Sequence, residues 1–456
     1  MTEIVAHLLT VGDELLTGDV VDTNTAELAQ LCRSLGILVE RAVSVRDQPR
    51  EIADALDRAR RADLCLVTGG LGPTSDDRTA EAIAAAAGVP LVLDPEAERL
   101  VRAAVARMAA RPAALSHRSM AADRLRQLAT SPENLKQAWL PTGARPIVNE
   151  SGTAPGFHLR LPPTERGNSE TRVISTPGVP SELRAMLPAI AELLRGWFGG
   201  RLRPVSRRVY RTFGRESVLA PVVEQRVASA IDRGAPPVAL HYRACGPEVL
   251  IILERTGAGG GLEQFDGIMG EALASSLYGI GAADLPTRLV RVLREHGLWL
   301  AAAEACSGGG LGQQLVAVPG ASRCVRGALV PYDDAVKVEL LGVERDLLHR
   351  HGAVSAEVAA AMAEGVRRRL VADIGLAITG IAGPGGGTAD KPVGTVDLAV
   401  SADFGRRYRR VTLPGDRAAV QHGATLWGLK LLWDLLVESE RARVFDLALP
   451  SGSALE

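Results

Sequence analysis

Cysteine is scarce in this chain. Its five residues, Cys32, Cys65, Cys245, Cys306 and Cys324, are scattered, odd in number and never spaced as Cys-x-x-Cys. That pattern excludes a disulfide framework and a thiolate zinc site, and it suits a reducing compartment. Net charge is also nearly absent. With 52 Lys and Arg against 53 Asp and Glu, the formal charge is -1. A dominant nucleic-acid footprint is therefore not expected. No apolar run reaches the roughly 18 residues of a membrane span. Met1-Thr2-Glu3-Ile4-Val5 places no basic region before an apolar one, so no secretory signal is expected and the location reads as cytoplasmic. Ser451 to Glu456 read as a flexible end. Histidine contributes little. His349 and His351 stand before Gly352 at a helix end, where imidazole suits the C-terminal dipole better than it suggests a metal pair.

What is present is an ordinary globular composition, 46% hydrophobic and 23% charged, over 456 residues. A chain of that size is expected to hold two or three domains. Apolar runs alternate with helical patterns from the start. Strands are expected at Ile4–Val11, Ile37–Val45 and Leu64–Thr68, and helices at Asn24–Leu35, Pro49–Arg60 and Asp77–Ala87. Such alternation predicts a doubly wound parallel sheet. Residues 111–170 read mainly as loops, with turn signals at Pro162-Pro163 and Arg166-Gly167-Asn168. The strand Val173–Thr176 then runs into Pro177-Gly178 and a helix over Ser181–Trp197. After Gly199-Gly200 comes a small α+β unit, with strands at Arg208–Phe213, Val238–Tyr242 and Glu248–Arg255 and helices at Glu216–Ile231 and Leu262–Leu277. A second boundary falls at Gly279–Ala283, followed by a further α/β alternation to about Val437.

Three glycine-bearing strand ends carry the chemistry. Thr68-Gly69-Gly70-Leu71-Gly72-Pro73-Thr74-Ser75-Asp76-Asp77 joins a buried strand to a helix. Glycines there admit a ligand to the backbone, and free amides suit phosphate. Nearby carboxylates suggest a bridging divalent cation. In an open α/β sheet, ligands bind outside the carboxyl ends of strands. By that rule Gly12-Asp13-Glu14-Leu15-Leu16 and Pro177-Gly178-Val179-Pro180 face the same crevice. The structural alternative is a tight turn with Asp77 capping the helix. Farther on, Ala302-Ala303-Glu304-Ala305-Cys306-Ser307-Gly308-Gly309 follows a short apolar run. Thr379-Gly380-Ile381-Ala382-Gly383-Pro384-Gly385-Gly386-Gly387-Thr388 follows the strand Ile374–Ile378. Both are anion-ready turns. Arg201, Arg203, Arg207, Arg208, Arg211 and Arg215 read as a solvated or interdomain face rather than an RNA site. Gly257-Ala258-Gly259-Gly260 fits neither a nucleic-acid clamp nor, with Leu262 at the last glycine position, a dinucleotide fingerprint.

In their order and spacing, these segments resemble the CinA family of competence/damage-inducible proteins along essentially the whole chain. The resemblance rests on Gly12-Asp13-Glu14-Leu15-Leu16-Thr17-Gly18 with Asp22-Thr23-Asn24, on Asn134-Leu135-Lys136-Gln137-Ala138, on Gly152-Thr153-Ala154-Pro155-Gly156 and on Pro177-Gly178-Val179-Pro180-Ser181-Glu182. In the last third it rests on the glycine turns above, on Arg326 to Lys337 and on Lys391-Pro392-Val393-Gly394-Thr395.

The resemblance implies three domains and a tail. Residues 1–200 would be a molybdopterin-binding-type α/β domain, 201–282 a KH-like α+β domain, 283–442 a nicotinamide mononucleotide (NMN) deamidase-type α/β domain, and 443–456 a flexible tail. For the first domain it implies a metal-dependent pyrophosphatase that cleaves ADP-ribose to AMP and ribose 5-phosphate. Glu14, Asp76 and Asp77 are then candidates for water or metal handling, with Asp76 and Asp77 as ligands of Mg, Mn or Co. Gly12, Asn24, Thr68, Gly69, Gly70, Gly72, Thr74, Lys136 and Gly178 are candidates for substrate contact. Asp13 departs from the family's usual Thr.

For the last domain the resemblance implies hydrolysis of the NMN carboxamide by Ser–Lys amidase chemistry. Tyr332 and Lys337 match that pattern, and Glu304, Cys306, Ser307, Gly308, Gly309, Thr379, Gly380, Gly383 and Gly385 would line the substrate. Ala305 stands where the family has its nucleophilic Ser, so turnover is expected to be impaired. Attack by Cys306 or Ser307 is an alternative, as is a non-catalytic scaffold or pterin-binding role linked to competence or DNA repair. A homodimer is implied as well.

Overall fold

The computed structural model describes residues 3–110, 131–163, 170–257 and 261–442. The chain divides into two compact units, Met1–Ser206 with Thr256–Gly259 and Arg207–Arg255 with Gly260–Glu456. The Arg166-Gly167-Asn168 turn signal, Ala258 to Gly260 and the tail from 443 lie outside the described residues.

The first unit is built on a six-stranded sheet. Its order is Leu38–Val45, Val5–Val11, Leu64–Thr68, Thr171–Thr176, Gly156–Leu161 and Arg145–Ile147. The first four strands run parallel, Gly156–Leu161 runs antiparallel to them, and Arg145–Ile147 is antiparallel to Gly156–Leu161. Leu64–Thr68 is buried along its whole length, as a strand covered by helices on both faces must be. One face carries Ile52 and Leu56 from the helix Pro49–Ala59, Ile83 from Thr79–Ala87 and Val101 from Pro95–Ala110. The other carries Leu28 and Leu35 from Asn24–Leu35 and Leu183, Ile190 and Leu194 from Pro180–Phe198. Each fully buried Leu or Ile of this kind contributes about 1.5–3 kcal/mol. The expected doubly wound architecture is thus present. The stretch read as loops also carries three short strands, and Pro95–Ala110 adds a helix whose first turn is capped by the Asp94 carboxylate accepting from Ala97 N–H (2.8 Å).

The second unit holds two sheets. A four-stranded one has the order Ala239–Cys245, Glu248–Thr256, Val205–Phe213 and Leu277–Ile280. The last of these strands corrects the sequence expectation of a helix running to Leu277. Leu273 and Leu277 share a helical spacing, but the helix Phe265–Leu273 ends there and Leu277–Ile280 is a fully buried strand. The arginine-rich stretch is ion-paired: Arg208 with Asp266, Arg211 with Glu248 and Arg207 with Glu254. In the first unit Arg201 pairs with Asp63 (3.1 Å).

The five-stranded sheet has the order Val325–Leu329, Leu300–Glu304, Ile374–Gly380, Thr395–Ala402 and Gly405–Thr412. Its first three strands are parallel and its last two antiparallel. The helix Arg417–Glu438 covers one face through Val420, Ala424, Leu432 and Leu436, and Ala356–Arg369 covers the other through Val358, Met362 and Val366. No helix among the described residues is long and apolar enough to cross a membrane.

Candidate functional sites

In the first unit the carboxyl ends of Val5–Val11, Leu64–Thr68 and Thr171–Thr176 meet, and glycine makes the meeting possible. Gly69 has φ +103°, and a Cβ there would lie 2.0 Å from the Val11 carbonyl oxygen. Gly178 passes so close that its Cβ would stand 3.3 Å from the Gly69 Cα. Asn24, 5% exposed, ties these ends together by donating to the Thr68 hydroxyl (3.0 Å) and to the Gly178 carbonyl (2.7 Å). Thr68 is fully buried and donates to the Pro177 carbonyl. Both side chains therefore shape the crevice, and Thr68 offers no free hydroxyl to a ligand.

The loop beyond Gly70 closes on itself. Asp77 accepts from the Thr74 N–H (2.8 Å) and hydroxyl (2.6 Å), and Gly72 leaves the room its carboxylate needs. Asp77 is thus not the helix cap. That position falls to Arg78, with no side-chain cap bond. Lys136, at the end of the short helix Pro132–Lys136, donates to the Thr74 carbonyl from the other side. The Thr74 hydroxyl, helped by the Lys136 charge, holds the Asp76 carboxyl below its ordinary value. Glu14 lies beside Gly12, whose missing Cβ makes room for its carboxylate. A small cavity of about 80 Å³ under the loop is lined by Gly70, Gly72, Asp77 and Lys136. It is too small for a nucleotide, which needs about 300 Å³ or more, so a ligand must lie along the open crevice.

Sequence reasoning missed Asp47. It accepts from the Asp13 N–H (3.1 Å), and burial, with the nearby charges of Asp13, Glu14 and Asp76, pushes its carboxyl up. Its position just past the end of Leu38–Val45 was the available signal, by the same strand-end rule. Four carboxylates in one neighbourhood offer the hard oxygen donors that a divalent cation takes. Among the described residues, no three His, Cys, Asp or Glu side chains form a ready-made metal cage.

In the second unit the turn after Leu300–Glu304 is anchored by Glu304. This carboxylate is fully buried and accepts from the Ser307 hydroxyl (2.9 Å) and from the N–H groups of Leu311 and Gly312 (each 2.8 Å). Glu304 thus holds the turn, and its oxygens face no ligand. Gly308 and Gly309, at φ +64° and +97°, make the left-handed bend into the helix Gly310–Val316. Glu304→Ala would leave three donors without an acceptor and is expected to destabilise the unit by about 3 kcal/mol or more. A lower denaturant midpoint at unchanged slope is the readout.

Neighbouring side chains on this turn go to opposite faces of the sheet. Ala305 packs in the apolar cluster with Leu341, Val358 and Met362. Leu341 stands one helical turn beyond Lys337 on Asp334–Leu341, so that helix contributes to the same apolar cluster as Ala305. Lys337 is 2% exposed and donates to the Tyr332 carbonyl (3.1 Å) and the Asp334 carboxylate (2.9 Å). Cys306 instead packs with Ile378, Ala382 and Val396 on the other face. Burial pushes its thiol up to about 12, and its 4% exposure leaves little access. At pH 8 only about one thiol in ten thousand of that kind is ionised. Iodoacetamide on the native protein at pH 8 is therefore expected to label the half-buried Cys245 well before Cys306, as read by peptide mass spectrometry. Ser307 is 7% exposed with its hydroxyl engaged by Glu304. The Ser307 hydroxyl thus already has a carboxylate acceptor, and the Cys306 thiol sits within the opposite core.

Arg417 is the residue that sequence reasoning overlooked here. It donates to the Gly383 carbonyl (2.8 Å) and to the exposed Tyr332 hydroxyl (2.9 Å), joining two of the expected segments. The third is joined through Ala305 N–H to the Ile378 carbonyl (2.9 Å) and through Gly380, where a Cβ would come within 3.0 Å of Cys306 Sγ. Thr379 donates to the Ala353 carbonyl (2.9 Å) and so serves the loop, whereas Gly385 borders open space.

Two family descriptions match the chain. Residues 7–196 match the family described as "Probable molybdopterin binding domain" and residues 282–436 the "CinA C-terminal domain". The chain is 37% identical to a CinA-like protein of Syntrophotalea carbinolica over 93% of this chain and 97% of that protein. It is 39% identical to a CinA-like protein of Citrifermentans bemidjiense over 91% and 93%. Among solved structures, a competence-damaged protein (CinA) superfamily member from Klebsiella pneumoniae is 33% identical, covers 34% of this chain and 96% of its own, and superposes with a TM-score of 0.33.

Proposed function

The chain belongs to the CinA family, and on that premise we propose that it is a nucleotide hydrolase of pyridine-nucleotide metabolism, active in its first unit and chemically silenced in its second. The first unit is proposed to cleave the diphosphate of ADP-ribose to AMP and ribose 5-phosphate. In that role the amides of Gly70 to Gly72 and the Lys136 ammonium face the diphosphate, and Glu14 accepts a proton from the attacking water. Asp76 and Asp77 would hold a divalent cation together with the substrate phosphates. Its contribution when bound is polarisation of the diphosphate.

Support for the silenced second unit is one observation. Ala305 shares its apolar cluster with Leu341 of the helix that carries Lys337, while Cys306 lies in the cluster on the opposite face and the Ser307 hydroxyl is bound to Glu304. The segments that Arg417 joins, Tyr332 and the Gly383 loop, are proposed to bind NMN without hydrolysing its carboxamide. Incubating the protein with ADP-ribose and Mg²⁺, Mn²⁺ or Co²⁺ in turn, and separating products by chromatography, tests the first part. No AMP with any of the three would overturn it. A homodimer in the cytoplasm remains part of this reading.

A further inference from the structure

At the far end of the first unit's sheet, the antiparallel strands set like charges against one another. Arg160 is paired in register with Arg172, and Arg145 with His158. Directly opposed residues share a face, as do residues two apart, so all four side chains stand together on one face of three adjacent strands. The alternate residues Phe157, Leu159 and Leu161 point to the core on the other side. Like charges directly opposed in a sheet are destabilising. Only one carboxylate relieves them: Glu170 bonds Arg160 (3.2 Å), and among the described residues no carboxylate pairs with Arg145 or Arg172.

The four basic groups line a cavity of ≈ 610 Å³, together with Thr142, Glu170 and Trp197. Trp197 closes one side, with the Arg172 guanidinium over its ring at 4.8 Å and the His158 ring edge-on at 5.1 Å. Burial and the three arginines hold His158 below its usual value, and burial with Arg160 does the same to Arg172. The feature is separate from the crevice described above. Arg172 lies at the amino end of Thr171–Thr176, whereas that crevice lies beyond the carboxyl end.

We propose that the Arg145, His158, Arg160 and Arg172 grid is a binding site for a small multivalent phosphate anion. Cross-strand neighbours about 5 Å apart and same-strand neighbours about 6–7 Å apart match the spread of charge on a diphosphate better than a single monoanion. A bound anion replaces mutual repulsion with charge-assisted hydrogen bonds from the planar guanidinium forks.

The test uses the full chain, inorganic pyrophosphate and EDTA, so that no hydrolysis intervenes. Calorimetry is run on the unmodified chain, on Lys136→Ala and on Arg145→Gln/Arg172→Gln, with His158 followed by ¹³C NMR. Pyrophosphate is expected to bind Lys136→Ala and to raise the pH midpoint of His158. The double variant is expected to lose at least tenfold in affinity and to show no movement of His158. Because Gln removes repulsion, the double variant should melt no lower than the parent without ligand, and its ADP-ribose hydrolysis should be unchanged. No binding to Lys136→Ala, or binding that the double variant leaves intact, overturns the proposal. Neither result bears on the hydrolysis assay, which reads the opposite end of the sheet.

Discussion

An Ala305→Ser variant is expected to release ammonia from NMN, while the unmodified chain releases none above background. The expectation follows from what surrounds Ala305. Its N–H is held by the Ile378 carbonyl, and its side chain shares an apolar cluster with Leu341 of the helix that carries the buried Lys337. A serine at this position needs no movement of the main chain, and its Oγ enters the neighbourhood of a lysine held by the Tyr332 carbonyl and the Asp334 carboxylate. In well-studied hydrolases the loss of a nucleophile costs on the order of 10⁶ in kcat, so regaining it should be visible over many decades. Adding Lys337→Ala to Ala305→Ser should remove the gain again, because a serine hydroxyl without a base is a weak nucleophile. Ammonia from both the parent and the serine variant would place the nucleophile elsewhere. Ammonia from neither would mean that the pocket has drifted beyond this one residue.

Lys136→Ala is expected to lower ADP-ribose hydrolysis by about 10²–10³ in kcat/KM, the range seen when one preorganised donor to a developing charge is lost. Lys136 reaches the crevice from a helix of its own and bonds the Thr74 carbonyl, whose N–H and hydroxyl are held by Asp77. The substitution therefore removes a cation and loosens the loop that positions Asp76. Lys136→Arg keeps the charge and should recover part of the rate. A parent-like rate in Lys136→Ala would place the diphosphate away from the Gly70–Asp77 loop.

Much of the framework was legible because local and global signals agree. Leu64–Thr68 is apolar throughout, lies between helical patterns and runs into glycines, and each of these follows from a central parallel strand with a ligand-facing end. Leu277–Ile280 was not legible, since Leu277, four residues after Leu273, suits either element and only pairing with Val205–Phe213 decides. Position on a turn likewise could not reveal direction. That Ala305 and Cys306 enter opposite cores became visible only when both faces of the sheet were filled. Asp47 and Arg417 escaped because their importance lies in partners far along the chain, Asp13 for one and Tyr332 and Gly383 for the other. Glu304 was recognised as part of the site, but its three buried hydrogen bonds make it the support of the turn and not a substrate contact.

The central claim is asymmetric: hydrolysis survives in the first unit and is lost in the second. The most direct measurement gives the unmodified chain an equimolar mixture of ADP-ribose and NMN with a divalent cation, and quantifies AMP and ammonia from the same tube. AMP without ammonia is the expected result. Ammonia without AMP would contradict both halves of the claim at once.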